Sequence, residues 1–203
     1  SHSALLVDIN LPHPHGTHAV SLSERQLQAL REKNRALESR MNELISYAGS
    51  NDNTSSKVHR LAVSLIGARS LSSVLDITQR QLNDDFAVPQ CAIRLWGIAQ
   101  ENGRIEFSPV QSELREFVSH METPHCGHHA VYETSRWFES AAPSLRSFAM
   151  MPLRDKDTFG VLLLASPDEN RFYPDMGTFY LNRIADLLSA ALRAQTHASD
   201  PAP

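Results

Sequence analysis

The sequence predicts an α+β domain, an antiparallel sheet with flanking helices, preceded by a long N-terminal helix patterned for a coiled coil. Three observations carry that prediction. Apolar residues recur at heptad spacing from Leu27 to Ala48, and at helical spacing again from Leu71 to Phe86 and from Phe179 to Leu192. Between these stretches the period changes to two, with turn signals at Asn102-Gly103 and Asp155-Lys156-Asp157. With 203 residues, 41% of them hydrophobic, the chain can bury one good core and carry an appended helix, but hardly two full domains.

With Leu27 at position a, the a/d series reads Leu27, Leu30, Asn34, Leu37, Met41, Leu44 and Ala48, a single seam along the helix. Lys33 at g stands five residues before Glu38 at e, the separation at which two charges meet across a parallel dimer. Asn34 fits the same arrangement: an asparagine at an a position is costly alone, but it pairs with its twin in a parallel, in-register dimer. The expectation is a homodimer through a parallel coiled coil, with Leu27, Leu30, Asn34, Leu37, Met41 and Leu44 at the interface. The other reading is an amphipathic helix packed on its own domain with Asn34 half exposed.

The helix start is signed twice, by a capping box of Ser21 with Glu24 and another of Ser23 with Gln26, with Leu22 and Leu27 at the staple positions. The preceding residues, with two prolines and His13, His15 and His18, read as an irregular arm. Two signals conflict after Ala48. Gly49 to Ser56 favour turns and caps, whereas Val58, Ala62 and Leu65 resume positions d, a and d in phase and carry the helix on.

A second helix starts at Ser70 or Ser72, with Leu71, Val74, Leu75, Thr78, Leu82 and Phe86 on one face, and closes before Pro89. Cys91 to Ala99 then reads as a strand, joined through Asn102-Gly103 to a partner strand from Ile105 to Val110. Leu114, Phe117, Val118 and Met121 mark a short amphipathic helix, and Thr123 to Pro143 reads as irregular. A second hairpin pairs Ser147–Leu153 with Phe159–Ser166. A closing helix from about Asp175 to Ala194 carries Phe179, Ile184, Leu187, Leu188, Ala191 and Leu192 on its apolar stripe.

A formal net charge of -4 argues against nucleic acid as the main partner, because phosphate binding needs a concentrated excess of Lys and Arg. Two cysteines, Cys91 and Cys126, are too few for a secreted disulfide framework and suit a reducing compartment. No apolar run is long enough to cross a bilayer and nothing at the start resembles a signal peptide, so no membrane association and a cytoplasmic location are expected. The chain opens at Ser1 rather than methionine, which leads to the expectation that natural N-terminal sequence precedes it.

The order of elements, with Ser147-Phe-Ala-Met-Met-Pro-Leu-Arg154 followed by Phe159-Gly-Val-Leu-Leu-Leu-Ala-Ser166 and the closing helix, resembles the GAF domain, a sensory relative of the PAS fold. Leu11-Pro-His-Pro14, Val20-Ser-Leu-Ser-Glu-Arg-Gln26, Pro124-His-Cys-Gly127 and Arg171-Phe-Tyr-Pro-Asp-Met-Gly177 are similar to the bacterial GAF-like family known as domain of unknown function 484. The resemblance implies a GAF-like antiparallel sheet between helices and a ligand pocket. It implies no activity and no cofactor, since the family has no established activity and a fold alone confers none. No Asn-Lys-x-x-Phe-Asp motif of cyclic-nucleotide-binding GAF domains occurs, so cyclic nucleotide is not carried over. The expected organisation is an irregular arm over residues 1–20, a coiled-coil or dimerisation helix over 21–56, a GAF-like domain over 57–196 and a disordered tail over 197–203.

On the first strand Cys91, Ile93 and Leu95 face one way, and Ala92, Arg94, Trp96 and Ile98 the other. Arg94 beside Trp96 offers a fixed cation and an aromatic surface, a pair suited to a planar or anionic ligand. The alternative is a solvated Arg94 with Trp96 packed under the variable insert. Met150 and Met151 fit either core or pocket. The stretch His125-Cys126-Gly127-His128-His129 packs four possible metal ligands into five positions, but adjacent residues rarely converge on one ion. A loop histidine cluster with Cys126 tucked into the core, and no metal, is expected there. Cys126 and His128 are counted with Arg94 and Trp96 as candidate ligand-binding residues.

An enzyme would need Cys126 as nucleophile, His128 or His129 as base and Cys91 as resolving thiol, in the manner of GAF-fold methionine sulfoxide reductases. The reading that fits most features is instead non-enzymatic. It is a dimeric GAF-like sensory or adaptor domain that binds a small molecule and signals through its N-terminal helix to an unidentified protein partner. A ligand-free dimerisation scaffold and a thiol enzyme are the alternatives.

Overall fold

A computed structural model describes residues 22–98 and 103–197. The irregular arm, the capping residue Ser21, Asn102 of the expected turn and tail residues 198–203 lie outside the described residues.

Helix α1 runs unbroken from Leu22 to Ile66, so the polar stretch at 49–56 stays helical, and Ser23 stands inside the helix rather than capping it. The chain divides into two compact units between Ser50 and Asn51. In the first unit every described residue is exposed, the seam residues Leu27, Leu30, Asn34, Leu37, Met41 and Leu44 among them. In the second, Val58, Leu61 and Leu65 are buried in the core and the Tyr180 hydroxyl donates to the Asn51 carbonyl at 3.0 Å. That burial offsets the weak helix propensity of the Ser and Asn run, since tertiary packing outweighs propensity in most helices. The resumed d positions Val58 and Leu65 thus pack inside their own domain.

Helix α2 spans Leu71–Asp84 and is capped by Ser70, whose hydroxyl accepts from the Ser73 amide at 3.1 Å. Leu71, Val74, Leu75, Thr78 and Leu82 form the buried face, and the Thr78 hydroxyl is satisfied by the Val74 carbonyl at 2.7 Å. Four strands follow: β1 (Gln90–Leu95), β2 (His125–Gly127), β3 (Ser147–Arg154) and β4 (Thr158–Ser166). They form one antiparallel sheet in the order β1-β4-β3-β2. Helix α3 (Ser112–His120) stands between β1 and β2 in sequence, and helix α4 (Phe179–His197) closes the described chain.

The expected hairpin of 91–99 with 105–110 does not form. Strand β1 ends at Leu95, Gly97 turns the chain at φ 67°, and Ile105–Phe107 makes a 3-10 turn, while β1 pairs with β4. Burial explains the choice. Every residue of β4 from Phe159 to Ser166 is buried, as suits an inner strand with two covered faces, whereas Ile105 is exposed and Pro109 has no N–H to offer a ladder. The second hairpin, β3 with β4, forms as expected around residues 155–157.

One face of the sheet carries Ile93, Leu95, Ala149, Met151, Leu162 and Leu164 against α1, α2 and α4. The other carries Ala92, Phe148, Met150, Val161, Leu163 and Ala165 under α3 and two short 3-10 segments of Thr134–Ser144 that are kinked at Glu139. Ile98, past the strand end, packs with the helix-side cluster instead of following Arg94 and Trp96. On α4 the buried apolar residues are Leu181, Ile184, Ala185, Leu188 and Leu192, and Phe179 is exposed beneath Arg183 rather than part of the stripe.

Arg154, at the end of β3, ties the insert down. Its guanidinium donates to the carbonyls of Val118 and Ser119, both at 3.1 Å, and of Met121. Ser119 is in the last turn of α3, where carbonyls lack helical donors, and Val118 already accepts from the Met121 amide at 3.3 Å, so a cation there adds hydrogen bonds and meets the negative end of the helix dipole.

Candidate functional site

Period-two alternation on β1 places Arg94 on the face covered by the insert, opposite Val161 on β4. Arg94 is not solvated. It is 6% exposed, donates from Nη1 to the Ile93 carbonyl at 2.8 Å, and lies with its guanidinium carbon 4.7 Å from the centre of the Trp137 ring. Burial pulls its pKa down and the nearby Glu106 carboxylate acts the other way. Among the described residues no carboxylate is within ion-pair distance of Arg94, because Glu106 is paired with Arg104 at 3.2 Å. A guanidinium stays protonated even so, leaving a buried cation sandwiched between sheet and aromatic ring.

Trp96 lies on the same face. Its indole N–H donates to the Thr158 carbonyl at 3.0 Å, and the Arg115 guanidinium sits 5.4 Å from its ring centre. Arg94 with Trp137 and Arg115 with Trp96 therefore make two cation–aromatic pairs on one side of the sheet. Sequence reasoning missed Trp137 because it belongs to the irregular stretch, where no period marks a face and an aromatic among polar residues was the available signal, and missed Arg115 because the amphipathic period of α3 marks its apolar face and names no partner for a cation beside it.

The other candidates fall elsewhere. Cys126 on β2 pairs with Ala149, which pairs with Leu164, which pairs with Cys91, so the two cysteines end one row that crosses all four strands. Three strand spacings separate them by about 14 Å, too far for a disulfide without rearrangement. Both thiols pack on the helix-side core, the opposite face from Arg94. His128 and His129 are exposed beyond β2. Of the four ligand-binding candidates the structure thus brings together Arg94 and Trp96, and places Cys126 and His128 apart from them. Among the described residues no three of His, Cys, Asp and Glu are placed to share a metal ion.

Burial pushes the Cys91 thiol up to about 12 and the Cys126 thiol up to about 11, which leaves both protonated at neutral pH and poor nucleophiles. Because these values lie above the unfolded value of 9.0, the stability they contribute is complete below about pH 9 and is lost as pH rises towards the folded values. The urea midpoint is therefore expected to fall between about pH 8 and about pH 10.5, and to fall less in a Cys91→Ala, Cys126→Ala variant. An equal fall in both proteins would show that the thiols titrate normally.

The insert also bounds an open cleft of about 620 Å³ beside α3 and β2, lined by Glu113, Glu116, Phe117, His125 and Tyr132 among others. Phe117 meets Tyr132 at 5.4 Å and His125 edge-on at 6.2 Å, and Tyr132 holds a left-handed backbone at φ 50°. Neither Arg94 nor Trp96 lines this cleft. No described helix is long and apolar enough to cross a membrane.

The fold is that of GAF domains. The GAF domain of a phosphoenolpyruvate-protein phosphotransferase from Coxiella burnetii superposes with a TM-score of 0.54 at 13% identity, covering 72% of this chain and 96% of that one. The Acinetobacter phosphoenolpyruvate-protein phosphotransferase GAF domain gives 0.50 at 20% identity, covering 73% and 96%. The nlh2 GAF domain of A. aeolicus, solved in an inactive state, gives 0.51 at 14% identity, covering 71% and 98%. At these identities the likeness concerns the fold. No curated protein matches the chain. The sequence model of one family, described as protein of unknown function DUF484, matches residues 1–195, and the chain belongs to that family.

Proposed function

We propose that the protein is a dimeric, cytoplasmic sensory or adaptor domain in which α1 pairs with the α1 of a second copy and reports the state of the GAF-like domain to a separate protein partner. The observation that carries this reading is the exposed heptad seam. Leu27, Leu30, Leu37, Met41 and Leu44 are each about half exposed or more on a helix whose own fold gives them nothing to cover. A second copy is the occupant favoured by Asn34 at a and by the Lys33 and Glu38 pair. The same helix enters the domain core through Val58, Leu61 and Leu65, which supports a signalling role for it.

For the ligand, the buried Arg94 cation beside Trp137 and Trp96 favours a small anionic or planar molecule at the insert-covered face. The ligand-free scaffold is supported by a different observation: Leu114, Val118 and Phe138 already fill much of that face. A thermal-shift screen of anionic and planar metabolites separates the two. Arg94→Met, which keeps an apolar stem against Trp137, is expected to abolish the stabilisation produced by whichever compound stabilises the parent. An unchanged shift in the variant removes Arg94 from any site, and a parent that responds to no compound leaves the scaffold reading standing.

A further inference from the structure

On the opposite, helix-side face of the sheet, a cavity of about 360 Å³ opens between α1, the turn after α2 and the loop leading into α4. That volume is at the lower end of small-molecule sites. Its floor is core: Leu82, Val88, Leu164, Phe172, Leu181 and Ile184 line it, and all six are buried. Its rim is of one sign. Lys57 from α1 and Arg171 are its charged lining residues, and no Asp or Glu lines it, in a chain whose net charge is -4.

Neither cation is engaged by a carboxylate among the described residues. Arg171 spends Nη2 on the Phe86 carbonyl, which fixes its position and leaves the rest of its fork available. The next residue in the wall, Ala87, is held at φ 53°, a conformation that costs energy for a side chain with a Cβ and that collects at ligand sites. The lining also includes Gly177, just before the first turn of α4, where the helix dipole adds further positive potential. One wall is the Arg171–Gly177 stretch, which the function proposed above leaves unused.

The geometry points to a binding site for an amphipathic carboxylate, its apolar body on the floor between Leu82, Leu164 and Ile184 and its anionic head at Lys57 and Arg171. The site depends neither on the dimer nor on Arg94. It touches α1 directly through Thr54 and Lys57.

Decanoate, below its micelle-forming concentration, is the probe, with decyltrimethylammonium as the control that keeps the tail and reverses the charge. Decanoate is expected to raise the melting temperature of the full chain saturably while the cation does not. Lys57→Glu, a change at a half-buried helix position, is expected to weaken decanoate about tenfold or more, the loss of one charge-assisted contact. Thr54→Trp, which places a ring at the cavity mouth, is expected to abolish the response while α-helical circular dichroism stays at the parental level. No response to decanoate, an equal response to both amphiphiles, or an undiminished response in both folded variants overturns the proposal.

Discussion

Glutamate at both Leu37 and Met41 is expected to leave the protein monomeric and to melt α1 ahead of residue 50, while the domain built on Val58, Leu61 and Leu65 stays folded. The two positions are a consecutive d and a of the seam, exposed at 54% and 59%. Each substitution removes about 2 kcal/mol of apolar burial per chain; over two sites and two chains the loss is on the order of 8 kcal/mol, close to the whole free energy of a micromolar dimer. Helix 22–50 has no buried residue of its own to fall back on, and most helical stability in proteins comes from packing of an apolar face rather than from propensity. Light scattering reads the mass and far-ultraviolet circular dichroism the lost helix. Glutamate at Arg35 and Ser39, on the b and f positions facing away from the seam, should change neither. Asn34→Val should act in the opposite sense, raising the melting temperature while allowing other oligomers. A parent that is already a monomer defeats the dimer outright.

Gly160→Ala is expected to destabilise the domain by about 2–3 kcal/mol, lowering the melting temperature by roughly 5–10 °C for a chain of this size. Gly160 lies within β4 between Leu95 on β1 and Leu153 on β3. A Cβ there would stand 2.8 Å from the Arg94 carbonyl oxygen, 2.8 Å from Leu95 Cδ2 and 3.2 Å from Leu153 Cδ1. The Leu153 methyl can yield, but the Arg94 carbonyl is backbone and cannot move without opening the β1–β4 ladder and shifting Arg94 itself. Gly49→Ala is the contrast: with nothing within 4 Å, alanine in a helix interior should stabilise by about 0.5–1 kcal/mol. Parallel melts of the three proteins decide it, and a Gly160→Ala melt within about a degree of the parent would mean that the strands relax freely.

What the sequence made legible follows from which information is local. The α2 face from Leu71 to Leu82 and the β3–β4 hairpin are each encoded by a run whose period and turn lie side by side, and both stand where expected. The pairing of β1 is not local. Asn102-Gly103 is a strong short-range signal, yet the partner that wins is β4, more than sixty residues on, because its two apolar faces bury more than Ile105 to Val110 can. Cys126 illustrates a second limit. A strand of three residues is too short to reveal its own alternation, so the face it chooses is visible only through its pairing with Ala149. The contact of Phe117 with Tyr132 depends on a left-handed backbone at Tyr132 that no residue type there announces.

The grip of Arg154 on the insert has an evolutionary side. It holds α3 by the carbonyl oxygens of Val118, Ser119 and Met121, atoms that every amino acid supplies. Exposed positions such as Arg115, Glu116 and Ser119 can therefore change identity without releasing the anchor. A fastening that is blind to side chains lets drift rewrite the chemistry of the insert-covered face while the sheet beneath it keeps the same frame.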